Sequence, residues 1–67
     1  MKTKPVMRMK LAMAILRDGR NQYEIAQAAG IDAPRLTRIK KGMDHPTDAQ
    51  ADALADVLGC ARKGLGL

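Results

Sequence analysis

The sequence has little of what metal sites, disulfides and aromatic binding surfaces are made of. Among its 67 residues there is one cysteine, Cys60, so an intramolecular disulfide and a thiolate metal site are excluded. Tyr23 is the single aromatic residue, whereas a platform that stacks successive single-stranded bases needs several rings. The one histidine, His45, stands beside a proline in a segment predicted to be a loop. We therefore expect no metal, no cofactor, no small-molecule ligand and no enzyme.

Long apolar runs are also missing. No segment approaches the ~20 consecutive apolar residues that span a bilayer. Arg8, Lys10 and Arg17 interrupt the apolar residues near the N-terminus, where a signal peptide would need them uninterrupted. We therefore expect a soluble, cytoplasmic protein with no membrane partner. Its length allows one small domain, with no room for a buried active site beside the core.

Basic residues outnumber acidic ones, and the two kinds lie in different segments. The chain has 12 lysines and arginines against 7 aspartates and glutamates, a formal net charge of +5. Residues 35–41 contain four cations and no acid, whereas residues 44–56 contain four acids and neither lysine nor arginine. Clustered cations are the electrostatic footprint of a nucleic-acid-binding surface. One helix is therefore predicted to face a polyanion, and the helix after it is not.

Two short helices joined by a tight turn are predicted between Gln22 and Gly42. The apolar residues of the first helix share one face: Ile25, Ala26 and Ala29. Gly30 follows at once and suits the left-handed conformation that ends many helices. Because only a small side chain fits where two helices cross over a short turn, Ala26 is placed at the crossing.

The second helix of the pair is predicted over residues 33–41. Asp32 is positioned to cap its N-terminus, and Pro34 is tolerated in the first turn because those N–H groups lack helical partners. Leu36 and Ile39 form its inward stripe, and the following glycine ends it.

An earlier helix is predicted from Pro5 to about Arg17, with two apolar rows. The expected core row is Met7, Leu11 and Ile15, with Ala12 and Leu16 beside it. The second patch, on the opposite side, is Val6, Met9 and Met13. Two interpretations of this patch stay open, since methionines can fill gaps in a core or form a contact for a partner.

A last helix is predicted after a loop at residues 43–46, ending at Gly59. Thr47 and Gln50 stand in the capping-box arrangement, as do Asn21 and Glu24 in front of the helix pair. The inward residues are Ala51, Leu54, Ala55 and Leu58. An exposed acidic edge is formed by Asp48, Asp52 and Asp56.

The helix pair carries a motif of fixed spacings, which runs Asn21-Gln22-x-Glu24-Ile25-Ala26-x-x-Ala29-Gly30-Ile31-Asp32-x-x-x-Leu36-Thr37-Arg38-Ile39-x-x-Gly42. This string resembles the DNA-binding domains of Cro and lambda-repressor type (XRE-like) regulators, and the resemblance continues through Pro46 to Gly59. It implies an all-α fold, a compact bundle of four to five helices that contains a helix-turn-helix. The expected organisation is a flexible N-terminus at residues 1–4, a helix-turn-helix DNA-binding domain at 5–59 and a short C-terminal tail at 60–67.

The resemblance also implies which residues meet DNA, because in the family the outer face of helix 33–41 enters the major groove. The candidate base-reading residues are Arg38, Arg35, Pro34, Ala33 and Thr37. Arg38 leads, because a guanidinium can bind both acceptors of guanine. The candidate phosphate-binding residues are Gln22, Asn21, Lys41 and Lys40, with Gln22 at a helix N-terminus. For the arginines a solvated surface or a sequence-blind phosphate contact stays open, and Thr37 can instead satisfy its own turn.

The chain departs from the family's pattern at several positions. Relatives often pair an arginine in the first helix with a glutamate late in the third, where this chain has Ile15 and Lys40, and we expect the Lys40 amine to extend to solvent or phosphate. Arg20 replaces an apolar residue. Cys60 stands where relatives have a small aliphatic side chain, so we expect it to be buried. The residues after Gly59 allow one helical turn at most, whereas many relatives have a fifth helix used in dimerisation.

The predicted function is a sequence-specific, double-stranded DNA-binding transcriptional regulator. A Cro-like repressor or autoregulator of prokaryotic or phage origin, associated with the nucleoid, fits the resemblance. A homodimer is expected, with Val6, Met9, Met13, Leu65 and Leu67 as candidate contacts. The alternative is a helix-turn-helix module that acts mainly through protein–protein contacts. Duplex binding that weakens with salt separates the two, because protein docking need not neutralise phosphates.

Overall fold

The computed structural model describes residues 6–67, which form a helical structure without strands. Its elements are α1 (Met9–Asp18), α2 (Gln22–Ala29), α3 (Ala33–Lys40) and α4 (Asp48–Leu58), followed by a 3-10 turn at Arg62–Leu65. The predicted all-α bundle is confirmed. Within residues 6–67, no helix combines the length and the apolar character that crossing a membrane requires.

One core joins all five elements. Its fully buried large side chains come from every one of them: Leu11, Ile25, Leu36, Ile39, Leu54 and Leu65. α2 packs against both α3 and α4, and the 3-10 turn packs against α1 and α4. One side of α3, which carries Leu36 and Ile39, is thus packed in the core, and the opposite side faces solvent.

Ala26 is buried and Gly30 is left-handed, as the sequence predicts. Ala26 is 1% exposed in the shared core. Gly30 adopts φ +71° after α2, and the backbone N–H of Ile31 returns to the Ala26 carbonyl at 2.9 Å. An L-residue disfavours this left-handed conformation, so glycine is suited to it.

The caps agree only in part with their predicted roles. Thr47 and Gln50 form a complete capping box in front of α4. The Asn21 side-chain oxygen accepts from the Glu24 backbone N–H, which is one half of a capping box. The Glu24 carboxylate, however, accepts from the Asn21 side-chain amide, whereas in a full box it would accept from the Asn21 backbone N–H. Asp32 occupies the N-cap position of α3 without making a side-chain cap bond, so that part of the prediction is wrong.

The first helix begins later than predicted. Val6, Met7 and Arg8 precede α1 and are not helical, whereas Pro5 lies outside the described residues, as do the residues predicted to be a flexible N-terminus. Because Met7 stands ahead of the helix, it leaves the Leu11–Ile15 row and is exposed. Leu16, also expected inward, is 81% exposed.

Gly42 lies against the backbone of Val6, and this contact holds the N-terminal segment close to the end of α3. It adopts φ +79°, and a Cβ at this position would overlap the backbone carbonyl of Val6. The Arg8 backbone N–H donates to the Lys40 carbonyl at 2.8 Å. Residues 6–8 are thereby laid along the C-terminal end of α3.

Candidate nucleic-acid interface

The free side of α3 carries a short basic surface. Leu36 and Ile39 are fully buried, whereas Pro34, Arg38 and Lys41 are exposed. Ala33 and Arg35 are half-buried at the edges of this surface. The structure therefore places a proline, a guanidinium and an ammonium where a ligand can reach all three.

One flank of α3 is tied to α2 by a polar cluster that the sequence did not predict. The Gln22 amide donates to the Thr37 hydroxyl at 2.5 Å, and the Lys40 amine donates to the Gln22 carbonyl oxygen at 2.8 Å. Thr37 in turn donates to the Ala33 carbonyl at 3.2 Å. The hydroxyl of Thr37 is thus used within the fold, which was one of its two open interpretations.

The same cluster corrects the first half of the expectation for Lys40, that its amine extends to solvent, whereas contact with a phosphate stays a prediction. Its amine does not extend into solvent but lies at the start of α2, held by Gln22. The first N–H groups of a helix lack partners and give that end a partial positive charge. Lys40 therefore adds a full positive charge to a helix N-terminus, beside two of the predicted phosphate-binding residues, Gln22 and Asn21. The Asn21 side chain is itself engaged by its cap.

The other flank of α3 is covered by residues 43–45. The backbone N–H groups of Met43 and Asp44 both donate to the Arg38 carbonyl, at 2.9 and 3.3 Å. Arg35 donates to the His45 carbonyl at 3.2 Å, while its Nε is shielded and has no partner within residues 6–67. Arg35 is thus drawn toward the loop rather than outward.

Arg38 forms an ion pair with Asp44 that sequence reasoning missed. The Arg38 Nε donates to the Asp44 carboxylate at 2.7 Å. This hydrogen bond holds the pKa of the Asp44 carboxyl below its usual value, with the nearby positive charge of Arg38 adding to the effect. The only signal in the sequence was an acid soon after a helix-ending glycine, which does not specify how the loop turns.

Arg8 fixes this loop from the N-terminal side. One of its terminal nitrogens, Nη1, donates to the carbonyls of Ile39 and Asp44 at 2.6 and 2.9 Å. Its Nη2 lies 3.0 Å from His45 Nδ1. Since a guanidinium only donates, Nδ1 is the acceptor in this contact. Arg8 therefore satisfies a carbonyl at the end of α3 and joins it to the loop.

A helix-turn-helix family model matches residues 11–65, which is most of the chain. The chain belongs to the Cro and lambda-repressor type (XRE-like) helix-turn-helix family. The comparisons with curated proteins and with solved structures found no match that reaches significance.

Family membership identifies a DNA-binding helix-turn-helix transcription regulator. The family is one of DNA-binding regulatory domains and not of enzymes. In a helix-turn-helix the second helix is the one presented to DNA. Here the second helix is α3. The matched range includes Leu65 but begins after Arg8, so Arg8 lies outside the part that the family model describes, whereas the residues it contacts lie inside that part.

The predicted dimer contacts divide into two groups. Val6, Met9 and Met13 are exposed, at 75%, 59% and 44%. Leu65 is fully buried in the core of the single chain, which removes it from the candidates, and Leu67 is partly buried against the same core. The tail folds inward because its 3-10 turn closes the gap between α1 and α4. Exposed Leu16 lies three residues after Met13 and extends the α1 patch.

Two further residues differ from what their positions predicted. Cys60 is exposed, not buried. Arg20, in place of the usual apolar residue, binds Asp18 through Nε and Nη2 and donates to the Val57 carbonyl at 2.8 Å. It thereby joins the end of α1 to the end of α4 by polar contacts in place of apolar packing.

Proposed function

We propose that this chain is a sequence-specific repressor of the Cro-like kind that binds double-stranded DNA through the major groove. The observation that carries the proposal is the state of α3: two sides are fixed by the core and by α2, and its outer side presents Pro34, Arg38 and Lys41. A helix held this firmly can deliver its side chains to base edges without first becoming ordered. Autoregulation in a prokaryotic cell or a phage, on the nucleoid, is the biological setting that fits.

Arg38 is the proposed base reader. It lies in the middle of α3, its side chain is 48% exposed, and its Nη1 and Nη2 make no hydrogen bond within residues 6–67. Guanine offers two acceptors at the spacing of two guanidinium nitrogens. Pro34 and Ala33 offer apolar surface for a thymine methyl, and Arg35 is held closer to the loop.

Gln22 and Lys40 form the proposed phosphate anchor, with Asn21 and Lys41 on either side. Gln22 and Lys40 meet at the start of α2, where helix N–H groups also favour an anion. Such contacts fix the position of a protein on the duplex without reading its sequence. Base reading is therefore assigned to the outer side of α3, and phosphate anchoring to the start of α2 with the Lys40 amine held against it.

Selection from random duplex DNA, followed by competition against every single-base variant of the selected site, tests this assignment. Arg38→Ala should cost about 1–3 kcal/mol on the selected site and relax preference at one base pair. Gln22→Ala should weaken binding to all duplexes by a similar factor and leave the preference unchanged. If Arg38→Ala keeps the full preference profile, Arg38 is a phosphate contact and the reader is elsewhere on α3.

A homodimer is proposed on DNA, with exposed Met9 and Met13 of α1, and exposed Val6 ahead of that helix, as its contact. Palindromic sites match a two-fold protein, with half-sites about 34 Å apart or a multiple of that distance. Met13→Asp should lower dimer affinity in sedimentation experiments while the chain stays folded. Independent binding of one wild-type chain to each half-site would exclude the dimer.

A second candidate function, docking to another protein, is favoured by the same exposed apolar side chains. The two functions differ in their response to salt. Binding to DNA releases counterions, so the logarithm of its affinity falls linearly with the logarithm of salt concentration. Duplex binding without such a dependence, or no duplex binding at all, would support protein docking.

A further inference from the structure

We propose that Asp44 is a positioning residue for DNA recognition, which aims the Arg38 guanidinium at a base and reduces its attraction to phosphates. Asp44 would thereby increase the preference for the correct site over other DNA while limiting affinity for DNA in general. This inference rests on the proposed function, because it extends the role assigned to Arg38.

The first support is the edge of the guanidinium that the carboxylate occupies. Asp44 binds Arg38 at Nε. A guanidinium presents its five N–H groups in a rigid plane, so occupying Nε also fixes the direction of Nη1 and Nη2. Those two nitrogens are the pair that remains for the O6 and N7 acceptors of guanine. The ion pair thus orients Arg38 without using the edge that would read the base.

The second support is that the carboxylate is itself held in place. The Asp44 N–H donates to the Arg38 carbonyl, and the Asp44 carbonyl accepts from Arg8 at 2.9 Å. Arg35 holds the next residue through the His45 carbonyl. The backbone of Asp44 is therefore hydrogen-bonded on both sides of its Cα atom, through its N–H and through its carbonyl. These bonds restrict the position of its side chain more than that of an acid on a flexible loop. A fixed partner limits the number of rotamers that Arg38 samples before DNA arrives.

The third support is electrostatic. Binding to arbitrary DNA depends on cations that neutralise phosphates. A carboxylate within hydrogen-bond distance offsets the charge of Arg38, so its attraction to a phosphate is weakened. Guanine acceptors are neutral, and an ion-paired guanidinium can still donate to them. The pair therefore penalises phosphate contact more than base contact.

The test compares Asp44→Asn with Asp56→Asn, a matched control. Asp56 is an exposed residue of α4, and it makes no ion pair within residues 6–67. Both variants remove one negative charge, but only Asp44→Asn changes the partner of Arg38, from a carboxylate to a neutral amide that is a weaker acceptor. Affinity for the selected duplex and for a scrambled duplex is measured across a range of salt concentrations, after thermal melts establish that each variant is folded.

Asp44→Asn should bind the scrambled duplex more tightly than wild type does, with a salt slope steeper by up to about 1 unit, because one more cation becomes available to phosphates. The ratio of specific to scrambled affinity should fall by about fivefold or more, the lower end of the discrimination given by one bidentate contact. Asp56→Asn should change both affinities by the same factor and leave the ratio at its wild-type value.

A double-mutant cycle separates positioning from a merely structural role. If Asp44 acts through Arg38, then Asp44→Asn should leave the affinity ratio unchanged in an Arg38→Ala background. A structural defect of the loop would lower the ratio in that background as well, and would overturn the proposal. Asp44→Glu is the second variant, for use if Asp44→Asn melts early. It retains the charge, so it should keep the wild-type salt slope, and a steeper slope would count against the proposal.

Failure of this inference is distinguishable from failure of the proposed function. If wild type shows no preference for any duplex sequence, the proposed function is wrong. If wild type is sequence-specific but Asp44→Asn keeps its affinity ratio, or raises it, then Asp44 does not position Arg38 and the inference is wrong.

Discussion

Replacing Ala26 with leucine tests whether the position of α3 depends on a small side chain beneath it. Ala26 is 1% exposed and belongs to the core cluster that includes Ile25, Leu36 and Ile39. An isobutyl group has no space there, so α2 and α3 must move apart or the new side chain must take a strained rotamer. Overpacking of this kind costs about 1–3 kcal/mol.

This loss is large for a chain of this size. A domain of 67 residues has a total stability of roughly 3–10 kcal/mol. For small domains each kcal/mol lowers the melting temperature by about 4–8 °C, so Ala26→Leu should lower it by about 4–24 °C. The assay is thermal unfolding followed by circular dichroism at 222 nm, the standard helical signal.

Ala28→Leu is the matched control. Ala28 lies in the same helix but is exposed, so the same added group meets solvent. A surface substitution of this kind changes stability within about 0.5 kcal/mol. If Ala26→Leu melts at the temperature of Ala28→Leu, the crossing of α2 and α3 does not require a small residue. A second consequence concerns function: Ala26→Leu should weaken DNA binding even where it stays folded, because α3 is displaced.

Two further predictions concern stability. Gly42→Ala should cost more than Gly59→Ala, because both alanines would occupy a left-handed conformation at about 1–2 kcal/mol, but only the first Cβ overlaps the Val6 carbonyl; equal urea midpoints would contradict that close approach. Acid should destabilise the fold through Asp18, whose pKa is lowered mainly by its hydrogen bond from Arg20. Because the folded pKa lies below the ordinary value of 3.8, this contribution is present above that value and is lost as the pH falls through the folded pKa. Asp18→Asn should make the fall in the urea midpoint between about pH 5 and pH 2 less steep than in wild type, and an unchanged slope would refute the assignment.

The helix pair was predictable because its signals are local. Ile25, Ala26 and Gly30 lie close together in the sequence. The apolar spacing of Ile25, the small size of Ala26 and the conformational freedom of Gly30 each favour the same helix pair. Leu36 and Ile39 define which side of α3 faces inward, and from them the exposure of Pro34 and Arg38 follows by helical geometry. The family match agrees with this interpretation.

The first helix shows where local patterns fail. An i, i+4, i+8 spacing groups Met7 with Leu11 and Ile15, but this grouping holds only if Met7 is helical. In the structure α1 begins at Met9. The contact between residues 6–8 and the end of α3 competes with that helical turn and prevails. The prediction that Leu16 faces inward is wrong for a related reason. Which side of α1 becomes buried depends on where the other helices pack against it, and the sequence of α1 does not specify that.

Sequence by itself determined the helix pair and α4, their caps at Asn21 and Thr47, the basic side of α3 and the family, because each depends on residues a few positions apart. Tertiary structure decided that Leu65 closes the core, that Arg8 fixes the loop after α3 and that Asp44 meets Arg38. These contacts join residues far apart in the chain or across a turn without regular geometry. Their side chains have many possible partners, and the folded backbone selects among them by distance.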